Sequence, residues 1–200
     1  MDEHDKLIIQ EICQHRAYNK SFEEIITRLE DKFNEFNPIN NSFLIETYFG
    51  EGKREGQAKT LLLSDGIIGK DWLKKSYTKG GNLKIDFKGV YIFIHKSTPF
   101  YVGISRKVIG RICQHVKGHT HNSASLAYKI ALITYEHRNG KPYTGVRKDL
   151  DFKEYVAPVQ QFLLKQKLAF LPIENDEELF LFELFCSMKL GTWLNDFETH

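Results

Sequence analysis

The sequence predicts an α/β chain of the α+β kind: a small antiparallel β-sheet flanked by helices over residues 88–200, behind a mostly helical N-terminal region, residues 1–87. Three observations predict it. A period-two alternation starts at Gly89, stops at Lys96-Ser97-Thr98-Pro99 and resumes at Phe100, which is the pattern of a β-hairpin. Apolar residues at helical spacing precede and follow that hairpin. The 200 residues are 42% hydrophobic and 27% charged, enough for one core, or a core with a smaller lobe.

Taken in order, residues 5–36 read as helix, with Leu7, Ile8, Ile12 and then Phe22, Ile25, Ile26, Leu29 and Phe33 on the apolar stripe. Ser21 followed by Glu24 has the spacing of a capping box. Residues 37–58 are rich in Asn, Gly and charge, and Gly50 to Gly56 reads as a loop. Turns are expected at Ser64-Asp65-Gly66 and Gly80-Gly81-Asn82. Neither Gly50–Gly56 nor Gly69-Lys70-Asp71 ends in the Gly-Lys-Ser/Thr of a phosphate-cradling P-loop.

In the hairpin, Val90, Ile92 and Ile94 face one way, as do Phe100, Val102 and Ile104, so this side belongs to a core. Tyr91, Phe93 and His95 face the other way with Tyr101, Gly103 and Ser105, and Gly103 is expected to leave room there for a ligand. A helix follows, buried through Val108, Ile109, Ile112 and Val116, with Lys107, Arg111 and His115 on another face and Gly118 ending it. Ser123–Ile133 is expected to be a second helix, 138–148 a polar loop, and 151–167 a longer helix disturbed at Pro158. Lys167–Glu174 reads as a third strand. Asn175 and Glu178 open a last helix that runs to Leu190 and stops at Gly191.

Charge is unevenly distributed. Residues 1–88 carry 14 basic and 15 acidic side chains, and residues 136–200 carry 8 and 11. Between them, residues 89–135 carry Lys96, Arg106, Lys107, Arg111, Lys117 and Lys129 with no acid, and four of the eight histidines. Such a block is an electrostatic footprint for a polyanion. No run of 18 apolar residues suggests a membrane span, and Met1-Asp2-Glu3-His4-Asp5 does not read as a signal peptide. Three scattered cysteines, Cys13, Cys113 and Cys186, point to reduced thiols and a cytoplasmic setting.

Gly89-Val90-Tyr91, nine residues, then Tyr101-Val102-Gly103-Ile104-Ser105 resembles the two-strand signature of the GIY-YIG nucleases. Arg111 follows Tyr101 by ten residues, His115 comes one helical turn later, Glu183 lies in a late helix and Asn195 follows it by 12. The resemblance covers residues 88–197 and implies an endonuclease with Tyr91, Tyr101, Arg111, His115, Glu183 and Asn195 as catalytic residues. It also implies Glu183 as ligand of Mg²⁺ or Mn²⁺, and DNA as the favoured substrate.

The residue types suit that chemistry. Phosphodiester hydrolysis needs an activated water and neutralised phosphate charge, and a hard divalent ion that keeps several waters needs few carboxylates. Glu183 stands in an otherwise apolar stretch, Leu179 to Cys186, where an ionised carboxylate calls for a cation or hydrogen bonds. Arg111 can clamp a phosphate. Tyr91 is expected to act as base or to orient water, Tyr101 to position water or phosphate, His115 to assist proton transfer, and Asn195 to orient Glu183 or substrate. Gly103, Ser105, Arg106, Lys107, Lys117 and His119 are the expected nucleic-acid contacts. A zinc site from Cys113, His115, His119 and His121 is disfavoured, because Cys113 and His115 point to different sides of one helix. Two other classes remain open: a catalytically inactive nucleic-acid-binding module, and an interaction protein whose hairpin match is accidental. A homodimer would supply the second centre needed to cut both strands at once.

Overall fold

The computed structural model describes residues 2–14, 21–51, 61–63, 74–77, 83–195 and 197. Contacts divide the chain into two units, residues 1–35 and 36–200. The first contains α1 (Glu3–Gln14) and nearly all of α2 (Phe22–Phe36), covering much of the stretch 5–36 that reads as helix. Ser21 starts the second one. Its Oγ accepts the Glu24 N–H at 3.2 Å, and Glu24 Oε2 accepts the Ser21 N–H at 2.7 Å, which is the reciprocal capping box read from the sequence.

The second unit begins with β1 (Phe43–Leu44), α3 (Ile45–Tyr48) and two ribbons, β2 (Phe49–Glu51) with β3 (Leu61–Leu63), and β4 (Lys74–Tyr77) with β5 (Leu83–Asp86). Gly50 and Glu51 are thus strand. Residues 52–56, Gly69-Lys70-Asp71 and the turns expected at 64–66 and 80–82 lie outside the described residues. The hairpin follows as β6 (Gly89–His95) and β7 (Thr98–Ser105). Together with β8 (Lys167–Pro172) and β1 it forms a four-stranded antiparallel sheet of order β1-β8-β6-β7.

Strand β6 lies second from the edge, and Val90 through Ile94 are all 0–1% exposed. The expectation that only the Val90-Ile92-Ile94 side faces a core is therefore corrected: both sides do. Helix α7 (Asp176–Leu190) packs on β6 and β7, and its Phe182 and Cys186 are fully buried. The tyrosine side joins α4 (Val108–Lys117), α5 (Ser125–Asn139) and α6 (Ala157–Leu164) in one core that includes Tyr91, Phe93, Ile112, Leu126 and Leu163.

A second correction concerns Phe100. The ladder pairs Phe93 with Tyr101 and Ile94 with Pro99, which leaves Phe100 as an extra residue in a bulge. It does not share the side of Val102 and Ile104 as the alternation implied. It joins the tyrosine-side core, 6.0 Å from the Phe93 ring and 6.1 Å from Phe162 of α6.

The flanking helices follow local rules with small shifts. Helix α5 runs six residues past Ile133 to Asn139, where Gly140 terminates it at φ 66°, a conformation costly for residues with a Cβ. The helix expected over 151–167 runs from 152 to 164 without a break, and its irregularity falls just before Pro158, which sits in the first turn of α6. A π-helical turn, Phe152–Val156, precedes it and is capped by the Asp151 side chain. Asn175 accepts the Glu178 N–H at 2.7 Å at the start of α7, and Gly191 closes that helix at φ 62°.

Candidate active site

The site starts from the register of β6 against β7. Tyr91 pairs with Gly103 and Phe93 with Tyr101, so the two tyrosines lie diagonally on one side of the sheet with ring centroids 6.1 Å apart. A Cβ on residue 103 would stand 2.5 Å from the Tyr91 hydroxyl oxygen and 2.9 Å from a Tyr101 ring carbon. Gly103 is buried, and the space it leaves holds the Tyr91 ring. That corrects the expectation of room for a ligand or a nucleic-acid contact there.

Helix α4 supplies the third ring. Val108, Ile112, His115 and Val116 form its buried stripe, so His115 does not share an outer face with Lys107 and Arg111. His115 is wholly buried, its Nε2 is 2.8 Å from the Tyr91 hydroxyl, and its ring centroid is 6.0 Å from that of Tyr101. Its Nδ1 is buried and has no hydrogen-bond partner among the described residues. Burial and then the Arg111 charge hold its pKa down at about 3, which keeps the imidazole neutral. Gln160 of α6 fixes the end of α4, donating to the carbonyls of Gly118 at 2.7 Å and His115 at 3.4 Å.

Both phenols resist ionisation. Burial, followed by the charge of Tyr101, raises the Tyr91 pKa well above its ordinary value, and Arg111 opposes this only in part. Tyr101 is also raised, again chiefly by burial, but a hydrogen bond with Tyr91 pulls it back. Of the two, Tyr101 is the tyrosine that reaches a cleft, since Tyr91 is only 1% exposed.

Arg111 joins this cluster and is largely tied down. Its Nη1 donates to Gln114 Oε1 at 3.1 Å and to the carbonyls of Asn122 at 3.3 Å and Ser123 at 3.2 Å, while Nη2 donates to Ser125 Oγ at 2.6 Å. A substrate phosphate would have to compete with these bonds.

The cleft itself, of about 360 Å³, is lined by Tyr101, Ser125, Leu126, Lys129, Arg147, Glu183, Leu194, Asn195 and Phe197. It draws Glu183 from α7, Asn195 from the segment after α7 and Tyr101 from β7 to one place. Desolvation raises the Glu183 pKa to about 7. Asn195 is held to the free edge of the sheet. Its Oδ1 accepts the Val102 N–H at 2.9 Å and its Nδ2 donates to the Val102 carbonyl at 2.8 Å, so one side chain completes both backbone groups that an edge strand leaves open. Thr192 Oγ1 donates to the same Oδ1 at 2.9 Å. The amide expected to orient Glu183 or substrate thus serves the backbone of β7.

Of the expected nucleic-acid contacts, Ser105, Arg106 and Lys107 line a second groove with Asp86, Gly110, Arg111 and Gln114. Arg106 is 82% exposed and reaches Asp176 at 3.5 Å. Lys117 and His119 lie beyond that groove at the other end of α4, where His119 packs on Phe152. Asp86 escaped the sequence reading. Its carboxylate accepts the N–H groups of Ile109 at 2.9 Å and Gly110 at 3.1 Å, capping α4 from a strand 22 residues upstream of the helix start, a distance no local motif reveals. Arg147 escaped as well, because nothing in the polar segment 138–148 marks it; Lys129 was read only as part of the basic block.

Among the described residues no group of three His, Cys, Asp or Glu side chains could hold a metal ion. Cys113 faces no such cluster, and burial pushes its thiol up to about 11. The donor chemistry of the cleft is that of a single desolvated carboxylate, Glu183. That fits a hard divalent ion which retains most of its own waters, and does not fit a caged zinc.

The model of the GIY-YIG catalytic domain matches residues 87–144, which hold Tyr91, Tyr101, Arg111 and His115. The resemblance read from the hairpin therefore stands, and it implies the nuclease family. No curated protein and no solved structure matched the chain.

Proposed function

We propose that this chain, with its nuclease domain of GIY-YIG type, is a divalent-metal-dependent endonuclease that hydrolyses nucleic-acid phosphodiester bonds, DNA by preference. The observation that carries this reading is the meeting in one cleft of Tyr101 with Glu183 and Asn195, which lie 82 and 94 residues further along the chain. Glu183 is the residue that would hold Mg²⁺ or Mn²⁺. Such an ion, when bound, supplies charge neutralisation and an acidified water.

The remaining roles follow from geometry. Tyr101 faces the cleft and positions the attacking water or the phosphate. Tyr91 stands behind it, hydrogen-bonded to Tyr101 and to neutral His115, and holds the Tyr101 hydroxyl in place. Arg111 keeps a positive charge beside both phenols and favours whichever one gives up its proton. Asn195 fixes the cleft wall to β7. Arg106 and Lys107 carry the flanking backbone along their groove by charge, and Ser105 offers it a hydroxyl donor. One such centre cuts one strand, so a break in both requires a second copy or a second encounter.

The test is cleavage of supercoiled DNA in Mg²⁺ or Mn²⁺ by wild type and by Glu183→Ala. Nicking by wild type alone is the expected result. Equal cleavage by both proteins would sink the site, and salt-sensitive binding without any cleavage would leave a binding module.

A further inference from the structure

Arg111 and Arg147 meet at one residue. Arg111 Nη2 donates to the Ser125 hydroxyl at 2.6 Å, and Arg147 Nη2 donates to the Ser125 backbone carbonyl at 2.8 Å. They differ in what remains of each guanidinium. Arg111 also donates to Gln114, Asn122 and Ser123, and it does not line the Glu183 cleft. Arg147 does line it, together with Lys129. Its Nε is buried and has no hydrogen-bond partner among the described residues. A buried guanidinium N–H without an acceptor is a costly arrangement, and an anion is the kind of partner that would satisfy it. Desolvation lowers the Arg147 pKa, as partial burial of a cation does.

We infer that Arg147, held by Ser125 and assisted by Lys129, is a phosphate-binding residue of the Glu183 cleft that contacts the nucleic-acid backbone directly. The inference rests on the nuclease reading for its substrate. It assigns the phosphate clamp of the carboxylate cleft to a residue of the polar segment beyond residue 144, where the family match ends. The guanidinium keeps one Nη2 bond to the protein and turns its Nε edge to a non-bridging phosphate oxygen. Arg111 then acts on the tyrosines and Arg147 on the substrate.

Two measurements on the full chain separate this inference from the reading beneath it. The first is anisotropy of a labelled 30-base-pair duplex over a salt series, with Ca²⁺ in place of Mg²⁺. The second is nicking of supercoiled DNA in Mg²⁺. Arg147→Ala is expected to lower the slope of log affinity against log salt by about one, the loss of one phosphate contact, and to slow nicking about 10²–10³-fold. Arg147→Lys keeps the charge, restores the slope and leaves nicking slow, because an ammonium lacks the planar fork. Lys148→Ala, exposed on the same turn and outside the cleft, serves as control and is expected to match wild type in both. Thermal melting of each variant identifies any that fail to fold, and Arg147→Lys answers for Arg147→Ala in that event. If Arg147→Ala folds and matches wild type in slope and rate, the inference is overturned while the nuclease reading stands. If wild type binds but does not nick, the nuclease reading falls and the salt slope still decides the role of Arg147. If wild type shows no salt-dependent binding, both are overturned.

Discussion

The Tyr91 hydroxyl and His115 Nε2 meet at 2.8 Å inside the protein, with residue exposures of 1% and 0%. With His115 Nδ1 lacking a partner, the favoured tautomer carries its proton on Nε2 and donates to Tyr91, since an orphaned acceptor costs less than an orphaned N–H. The Tyr91 proton is then free to serve Tyr101. Removing one member of the pair strands the other. Tyr91→Phe and His115→Leu should each destabilise the fold by about 1–3 kcal/mol, whereas the double variant should lose less than the sum. Urea denaturation of the four proteins measures the coupling, and strict additivity would show that the contact contributes nothing.

His115 also predicts how the fold meets acid. Its pKa is about 3 when folded and near 6.5 when unfolded, so the unfolded chain takes up the proton first. The contribution of neutral His115 is complete above the unfolded value and is lost as pH falls from about 6.5 toward 3. His115→Gln should flatten that part of the stability curve relative to wild type. Parallel curves would refute the assignment.

Glu183 works in the opposite sense. Its pKa is raised to about 7, so the folded state holds its proton more tightly than the unfolded chain does. The penalty is absent below about pH 4.5, grows as pH rises to 7, and is then complete at roughly 3 kcal/mol as an upper bound. Glu183→Gln should therefore be more stable than wild type at pH 8 and equal to it at pH 4, while cleavage is abolished. Mg²⁺ should raise the melting temperature of wild type at pH 8 and leave that of Glu183→Gln unchanged. An equal response of both would place the ion elsewhere.

Gly103→Ala tests the packing under the tyrosines. The added methyl meets the Tyr91 hydroxyl at 2.5 Å and the Tyr101 ring at 2.9 Å, both held by neighbours, so overpacking should cost about 1–3 kcal/mol and displace both phenols. Loss of stability with unchanged cleavage would mean that the position of the phenols does not matter to the reaction.

Much of this was legible because the hairpin, the Ser21 and Asn175 caps and the stops at Gly118 and Gly191 obey rules that act over a few residues. The site was legible in part because the chemistry of a solitary Glu183 in an apolar helix is visible without knowing what it faces. Three things were not legible. The burial of both sides of β6 depends on which helices return to cover it. The bulge at Phe100 depends on the register with β6. The anchoring of Arg111 and Arg147 on Ser125 depends on the first residue of α5, 14 residues from one and 22 from the other. Each is set by tertiary pairing, and local periodicity alone, strand alternation for Phe100 and helical spacing for His115, put both on the wrong sides.

The amide of Asn195 pairs both backbone groups of Val102 at the edge of β7 from 93 residues downstream. Order of synthesis gives that distance a consequence. A growing chain that has made its hairpin and α4 carries both tyrosines and Arg111, yet it has neither the carboxylate of Glu183 nor the amide that covers Val102. The segment that completes the proposed site is also the one that occupies part of an edge open to strand-to-strand association, so an unfinished polypeptide lacks both at once.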